Sequence, residues 1–543
     1  MQKPLHHRIS HICRNVSLVA MICALTAIGW MAYRLSDAPI PIDWATPFLE
    51  QALQSAGSST GNLNLNNLFL IWNSASRRIE FSAEQVRLAD AEKTLTAVER
   101  VNVTLSITAL FRGQLRVKDI TLVGPQLHLS LPHTEQNPAG VAPLVFLLDK
   151  DTPLARLHSL SIQHGMIDLE HNGQHDSISN VELNWERNGK KSHGIFNAAL
   201  RLADAPAPSL IQATLHETET GTDITASAND IRPESIQTIL TDTAPNLLPA
   251  GLSLNRLQIP VSFDGAMHLD EHEKLQSVDG QIVGGSGHIL LPEFYDIAVP
   301  IRDLHINGTY QTDNGDWEIQ NFRLAILDED GPMTLQLQAA QNTQIITVNT
   351  TLPDANMTAI KRWWPAGVAP GVISWLNDNV SAGKISHMGI HATLKNGKDG
   401  YDITAAKGNF DLDDVTSKFM PTFPPVTGIN GKAVLTDPDN IHFDIKSGHV
   451  GDIAVQSGTM DISGLNADMQ ILKMDMKETG QLPDMLKLLD TPPYGYAKKY
   501  GLKASEDHGG VGLDLQFEFP LLAALKISDV KYHALANVNQ VIL

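Results

Sequence analysis

Gly57-Ser58-Ser59-Thr60-Gly61 has the G-x-S-x-G spacing of a nucleophile elbow, in which a strained strand-to-helix turn lifts a serine above a sheet for acyl transfer. The flanks are in the wrong order for that chemistry. Helix-forming sequence precedes the motif and alternating sequence follows it, so the run reads as a Ser/Gly linker. Gly284-Gly285-Ser286-Gly287 resembles a phosphate cradle, but no P-loop Lys-Ser/Thr follows, and a hairpin turn is the better reading. His171 and His175 are spaced like a pair of zinc ligands, yet Asn172-Gly173-Gln174 marks a turn between them and no third ligand clusters nearby. His6, His7 and His11 lie in the N-terminal tail, and the carboxylates of Asp413-Asp414 and Asp328-Glu329-Asp330 flank turn signals, where acidic residues are ordinary. No catalytic, metal or cofactor set emerges, so the expectation is a non-enzymatic chain that needs no cofactor.

The elements around these residues are bounded by composition. The 543 residues carry a formal charge of −20, with 43% hydrophobic and 18% charged residues, enough apolar content to build a core. The acidic balance excludes a nucleic-acid partner, which would need a surplus of Lys and Arg. Cys13 and Cys23 are the only cysteines and lie in or beside the first apolar run, which excludes a disulfide framework in the body.

That run, Asn15–Tyr33, is uncharged. At about 1.5 Å rise per residue it would reach roughly 28 Å, close to the hydrocarbon thickness of a bilayer. Lys3, Arg8 and Arg14 precede it, Trp30 and Tyr33 suit an interfacial belt, and Asp37 follows. The positive-inside rule predicts residues 1–14 in the cytoplasm, 15–33 as a transmembrane helix, and the rest outside.

Period-two alternation dominates the remainder. Val101, Val103, Leu105 and Ile107 alternate with polar residues, as do Leu465, Ala467, Met469 and Ile471, and as do Val511, Leu513, Leu515, Phe517 and Phe519. This pattern predicts half-exposed antiparallel strands with one apolar and one polar face. Glycine-centred runs at Leu160–Leu169, Ile453–Ile462, Ile120–Leu129 and Leu304–Tyr310 read as strand, hairpin turn, strand. Helices are expected to be few: Thr46–Gln54 with Thr46 as N-cap, Pro233–Leu240, Asn356–Trp364, Gly371–Asn379 and Pro483–Leu489. The expected organisation is a helical linker at 34–61, β-rich parts at 62–240, 241–355 and 384–543, and a short helical insertion at 356–383. The fold class is mainly β: a transmembrane helix, then a long curved antiparallel sheet, trough or ribbon, with a few short helices.

The most distinctive residues are Trp363-Trp364-Pro365, then Pro370-Gly371-Val372-Ile373-Ser374-Trp375-Leu376 and Asn379-Val380-Ser381-Ala382-Gly383-Lys384-Ile385. This segment resembles the central part of AsmA-like, YhdP-like envelope proteins. Leu68–Trp72, Ala109–Leu115, Val123–Leu127, Phe423–Gly431 and Phe519–Leu522 agree with the likeness in order. The resemblance implies an inner-membrane anchor bearing a curved periplasmic sheet of the bridge-like lipid-transfer type, in a short or truncated member. It also implies passage of phospholipid towards the outer membrane.

A sheet with one apolar face and few helices must either close as sandwiches or curl into a trough whose lining is covered by lipid. The trough gives a carrier or conduit for phospholipid acyl chains. Its lipid-facing candidates are Val101, Val103, Leu105, Ile107, Leu465, Met469, Ile471, Val511, Leu513, Leu515 and Phe517. The sandwich gives a structural or regulatory envelope protein. Val530, Tyr532, Ala534, Ala536 and Val538 predict a last strand, broken in pattern only by Leu535, whose open edge would suit a protein partner.

Overall fold

The structure is a computed structural model. It describes parts of residues 21–47 and most of 62–130, 157–237 and 253–542. The chain divides into two compact units: Met1–Asp230 with Ser235–Leu252 and Leu269–Glu273, and Ile231–Glu234 with Ser253–His268 and Lys274–Leu543.

The first unit contains β1 (Ile40–Pro41), β2 (Asn62–Asn73), β3 (Arg78–Asp90), β4 (Lys93–Leu105), β5 (Val117–Ser130), β6 (Ser159–His171), β7 (Gln174–Asn188), β8 (Lys191–Arg201), β9 (Ser209–Glu217) and β10 (Gly221–Ile231). Neighbours in sequence pair antiparallel, as alternation predicts, except that β5 and β6 run parallel with Ile120 opposite Leu160. A parallel pair needs a crossover of a dozen or more residues, and residues 131–158 are long enough to supply it. Leu68, Val86, Val101, Val103, Leu160 and Trp185 form the buried core of this unit.

The second unit begins with β11 (Leu257–Gln258), β12 (Val261–Asp270), β13 (Leu275–Gly284) and β14 (Gly287–Ile289), followed by β15 (Val299–Gln311), β16 (Trp317–Ile326), β17 (Met333–Asn342) and β18 (Ile345–Asn356). Helices α1 (Met357–Arg362) and α2 (Pro370–Asn379) interrupt the strands. There follow β19 (Val380–Asn396), β20 (Tyr401–Ser417), β21 (Val426–Asp437), β22 (Asn440–Val450), β23 (Ile453–Ser463) and β24 (Ile471–Gln481). Helices α3 (Leu482–Leu489) and α4 (Tyr496–Lys499) precede β25 (His508–Pro520) and β26 (Lys531–Ile542). From β15 to β26 each strand pairs antiparallel with the next.

Several local expectations are corrected. The four glycine-centred runs lie inside single strands, β6, β23, β5 and β15, and do not turn back as hairpins. Register shifts mark bulges at Ile162/Gly165, Val455/Ser457 and Asn307/Gly308. In β5, Gly124 adopts φ +60. Glycine in a strand interior supplies an unpaired bulge residue as readily as a turn, and a bulge bends the strand without ending it.

Gly284–Gly287 is likewise a kink and not a hairpin. Gly284 pairs with Leu304 and Gly287 with Ile301, so β13 and β14 travel the same way along β15. A Cβ on Gly287 would lie 2.4 Å from the Gln258 carbonyl oxygen, which explains the glycine as room for a crossing backbone.

Leu465, Ala467, Met469 and Gln470 lie in a turn rather than a strand. Gly464 has φ +79, the Ala467 N–H donates to the Gly464 carbonyl at 2.9 Å, and β24 starts only at Ile471. Thr46 is helical, in continuation of a 3-10 turn at Asp43–Ala45, and so is not the cap.

Among the described residues no helix is long and apolar enough to cross a membrane. Met21, Ile22, Thr26, Gly29, Trp30 and residues 33–35 are helical; the other residues of 15–33 lie outside those described, as do Gly57–Gly61, the tail histidines and Ile107.

Candidate functional site

The register of β20–β26 sorts their side chains into rows that cross the strands. One row runs Gly408, Leu435, Ile441, Ile462, Leu472, Phe519. The next runs Phe410, Ala433, Phe443, Met460, Met474, Phe517, Tyr532, and a third Leu412, Gly431, Ile445, Gly458, Met476, Leu515, Ala534. None of the three contains a charged residue. Seven strands at about 4.8 Å spacing make each full row roughly 29 Å long, nearly twice the ~15 Å hydrocarbon depth of one monolayer. Phe410 and Phe443 meet edge to face at 6.2 Å, the geometry that aromatic quadrupoles prefer.

The opposite face is charged in register. His442, Asp461, Lys473, Glu518 and Lys531 form one row, with His442 Nδ1 2.7 Å from Asp461, Lys473 Nζ 3.6 Å and Lys531 Nζ 2.8 Å from Glu518. The hydrogen bond from Lys531 holds the Glu518 carboxyl below its ordinary range, and the bond to Asp461 raises the His442 imidazole. Both effects are those of solvated ion pairs on an outer surface, which contribute little to stability.

The apolar face bears a cavity of ≈ 1310 Å³. Ligand pockets for small molecules usually fall at roughly 300–1,000 Å³. Leu324, Ile326, Met333 and Leu335 of β16 and β17 line it, together with the large side chains of the rows on β20–β24, Phe519 of β25, and Trp363, Trp364, Trp375 and Leu376 at the helical insertion.

Helix α1 is fixed there by polar contacts that its sequence supplies. Asp328, whose side chain is fully buried, accepts hydrogen bonds from Trp363 Nε1 at 2.8 Å and Arg362 Nη1 at 3.1 Å. Tyr295 donates its hydroxyl to the Trp363 carbonyl at 3.0 Å, and burial pushes that phenol's pKa up. Lys361 donates to the Val380 carbonyl, and burial lowers its pKa against the opposing charge of Asp378. Asp378, Asn379, Ser417, Lys418 and Gln470 give the lining its polar margin.

A fourth row departs from the pattern: Gly448, Val455, Glu478, Leu513, Ala536. Glu478 continues the apolar frame of Leu472, Met474 and Met476 on β24, and all four are buried. Its Oε2 has no hydrogen-bond partner, and desolvation raises its pKa to about 7. Around its row neighbour Leu513, α3 and α4 pack Leu482, Met485, Leu486 and Ala497 against Ile453 and Val511.

The residues singled out by alternation fall in four places. Val101 and Val103 are core residues of the first unit with Leu105 packed beside them. Leu515 and Phe517 pack with the cavity-lining cluster, and Leu465, although in a turn, lines the cavity. Val511 and Leu513 lie beneath α3 and α4. Met469 is exposed in the turn, and Ile471 falls in the frame of Lys473 and Asp475, opposite to Leu472. Sequence reasoning missed Leu472, Met474 and Met476, although their alternation with Lys473, Asp475 and Lys477 was a usable signal. His171 and Gln174 face each other across a hairpin. Asp413 and Asp414 lie within β20, and Asp328 serves α1.

A mainly β chain whose second unit carries antiparallel strands with an apolar, cavity-bearing face and a charged face belongs to the class of proteins that offer apolar surface in an open sheet. Within that class the chain belongs to the YhdP family: the family model for the YhdP protein matches residues 256–541, more than half of the chain. This membership fits an AsmA-like envelope protein. No curated protein matches the chain.

Proposed function

We propose that the protein is a membrane-anchored, non-enzymatic carrier or conduit for phospholipid acyl chains between the inner and outer membranes. The observation that carries this reading is the cavity of ≈ 1310 Å³ on a face with three uncharged rows. Acyl chains would bind there by the hydrophobic effect, about 0.8 kcal/mol per buried methylene, and leave headgroups at the polar margin near Lys418 and Gln470.

Asn15–Tyr33 anchors the chain in the inner membrane, with the N-terminus cytoplasmic and the body periplasmic. Ser58→Cys should therefore react with an impermeant thiol reagent in cells with a permeabilised outer membrane. Labelling only after lysis of the inner membrane would contradict that orientation.

A single photo-crosslinking series in cells tests the binding face. Phe517 shares a row with Met474, whereas Gln516 lies opposite Asp475 on the charged face. A crosslinker at Phe517 should yield lipid adducts at least tenfold above one at Gln516, because adjacent strand residues point to opposite faces. Equal capture at both positions would reject a lipid-bearing face. In the same series Val538, exposed on β26, should yield a protein adduct if that strand's outer edge docks a partner. Lipid or solvent alone at Val538 would remove the partner.

A further inference from the structure

Glu478 is the charged member of an otherwise uncharged row, flanked by Val455 and Leu513 across the sheet and by Met476 two residues back. It is 6% exposed, its Oε2 is unpartnered, and Met476 and Val455 beside it line the cavity. The carboxyl thus lies between the cavity and the place where α3 and α4 cover the sheet.

Among the described residues, the elements around it offer no counter-charge. On α3, Asp484 and Lys487 pair with each other at 3.0 Å, and the Asp490 carboxylate after that helix accepts the Lys498 N–H at the same distance. Lys498 and Lys499 of α4 are exposed, as are Lys446 and His449 of β22 and Asp452 before β23. On β24 and β25, Lys477 and Asp514 sit opposite one another in the outward frame. Burial raises the proton affinity of Glu478.

We propose that α3 and α4 form a cap that closes one end of the apolar groove and stays closed while the carboxyl of Glu478 beside it is uncharged, and that loss of its proton releases the cap and lengthens the groove. An unpaired carboxylate at this site must recover water. The strands beside it, β23 and β25, are hydrogen-bonded on both sides, whereas the two short helices hold on through Met485, Leu486 and Ala497. The cap is therefore the element that yields. Its release bares Ile453, Val511 and Leu513, which continue the apolar face. The functional meaning of this opening rests on the reading of that face as a lipid groove; the opening itself does not.

The sign follows from linkage. The raised native pKa means that the closed state holds a proton which the open, solvated state releases from its ordinary carboxyl value upward. Opening thus grows roughly tenfold per pH unit from about pH 4.5 to about pH 7, on the order of 10²-fold in all, and then levels off.

Hydrogen exchange on the full chain in detergent, corrected for the intrinsic rate, tests this. Protection of residues 482–489 and 496–499 should fall on the order of 10²-fold between pH 5 and pH 8, while β16 and β17 keep theirs. Glu478→Gln and Glu478→Leu should both abolish the dependence and hold the cap shut. Unchanged protection in the parent, or a pH dependence that survives in both variants, would overturn the cap. A photo-crosslinker at Leu513 separates the two readings: adducts to α3 at pH 5 that turn to lipid at pH 8 support both. A change in protection with no lipid at either pH keeps the cap and removes the lipid groove.

Discussion

Met460→Asp should weaken the protein's affinity for acyl chain roughly 50-fold, and so lower the lipid it holds, while leaving the fold intact. Met460 stands in the middle of the central row, between Phe443 and Met474, and lines the cavity. It is only half-buried, so a carboxylate there can reach water when the groove is empty. When the groove is filled, that carboxylate stays charged only if acyl chain withdraws from it. Losing contact with about three methylenes costs ~2.4 kcal/mol at ~0.8 kcal/mol each, which is the stated factor. Thr459→Lys, one residue away, points to the opposite face between Asp444 and Asp475 and should leave lipid content unchanged. Phosphate analysis of the purified proteins reads both. An equal loss in the two variants would mean general damage to β23 rather than a blocked groove.

The largest loss of stability is expected at Trp363. Its ring is buried against the cavity lining and meets Tyr295 at 6.0 Å, and its indole N–H donates to the buried Asp328 carboxylate. Trp363→Ala removes a large buried side chain, which costs about 3–5 kcal/mol. Trp363→Phe keeps most of the volume and removes the bond to a charged acceptor, a cost of about 1.5–3 kcal/mol. Urea unfolding monitored on the second unit should give that order, with the alanine variant less stable. Variants indistinguishable from the parent would show that the helical insertion is not held by this residue.

Strand type and the two-sided sheet were legible because period-two alternation survives in short runs such as Val511–Phe519, and it gave the correct inward frame for Leu515 and Phe517. What was hidden depends on partners distant in sequence. Gly165 and Gly458 carry the same local signature whether the chain reverses or bulges, and only pairing with β7 or β24 decides between them. Leu465–Ile471 alternates as well as a strand does, but Gly464 turns the chain first, and the true inward frame of β24 begins one residue later, at Leu472. Glu478 was readable as a charge in the frame of Met474 and Met476; its burial was not, because that depends on β23 and β25 pairing on either side of it. The tryptophans of the helical insertion marked the family, while their place on the cavity wall follows from Asp328, thirty-five residues upstream of Trp363.

The central claim is that the apolar face of the second unit holds acyl chains, and the direct test is mass spectrometry of lipids extracted from the purified full-length chain and from Met460→Asp. Phospholipid near one or more molecules per chain is predicted in the parent, with a marked loss in the variant. A parent free of lipid, or lipid retained equally by both proteins, would contradict it.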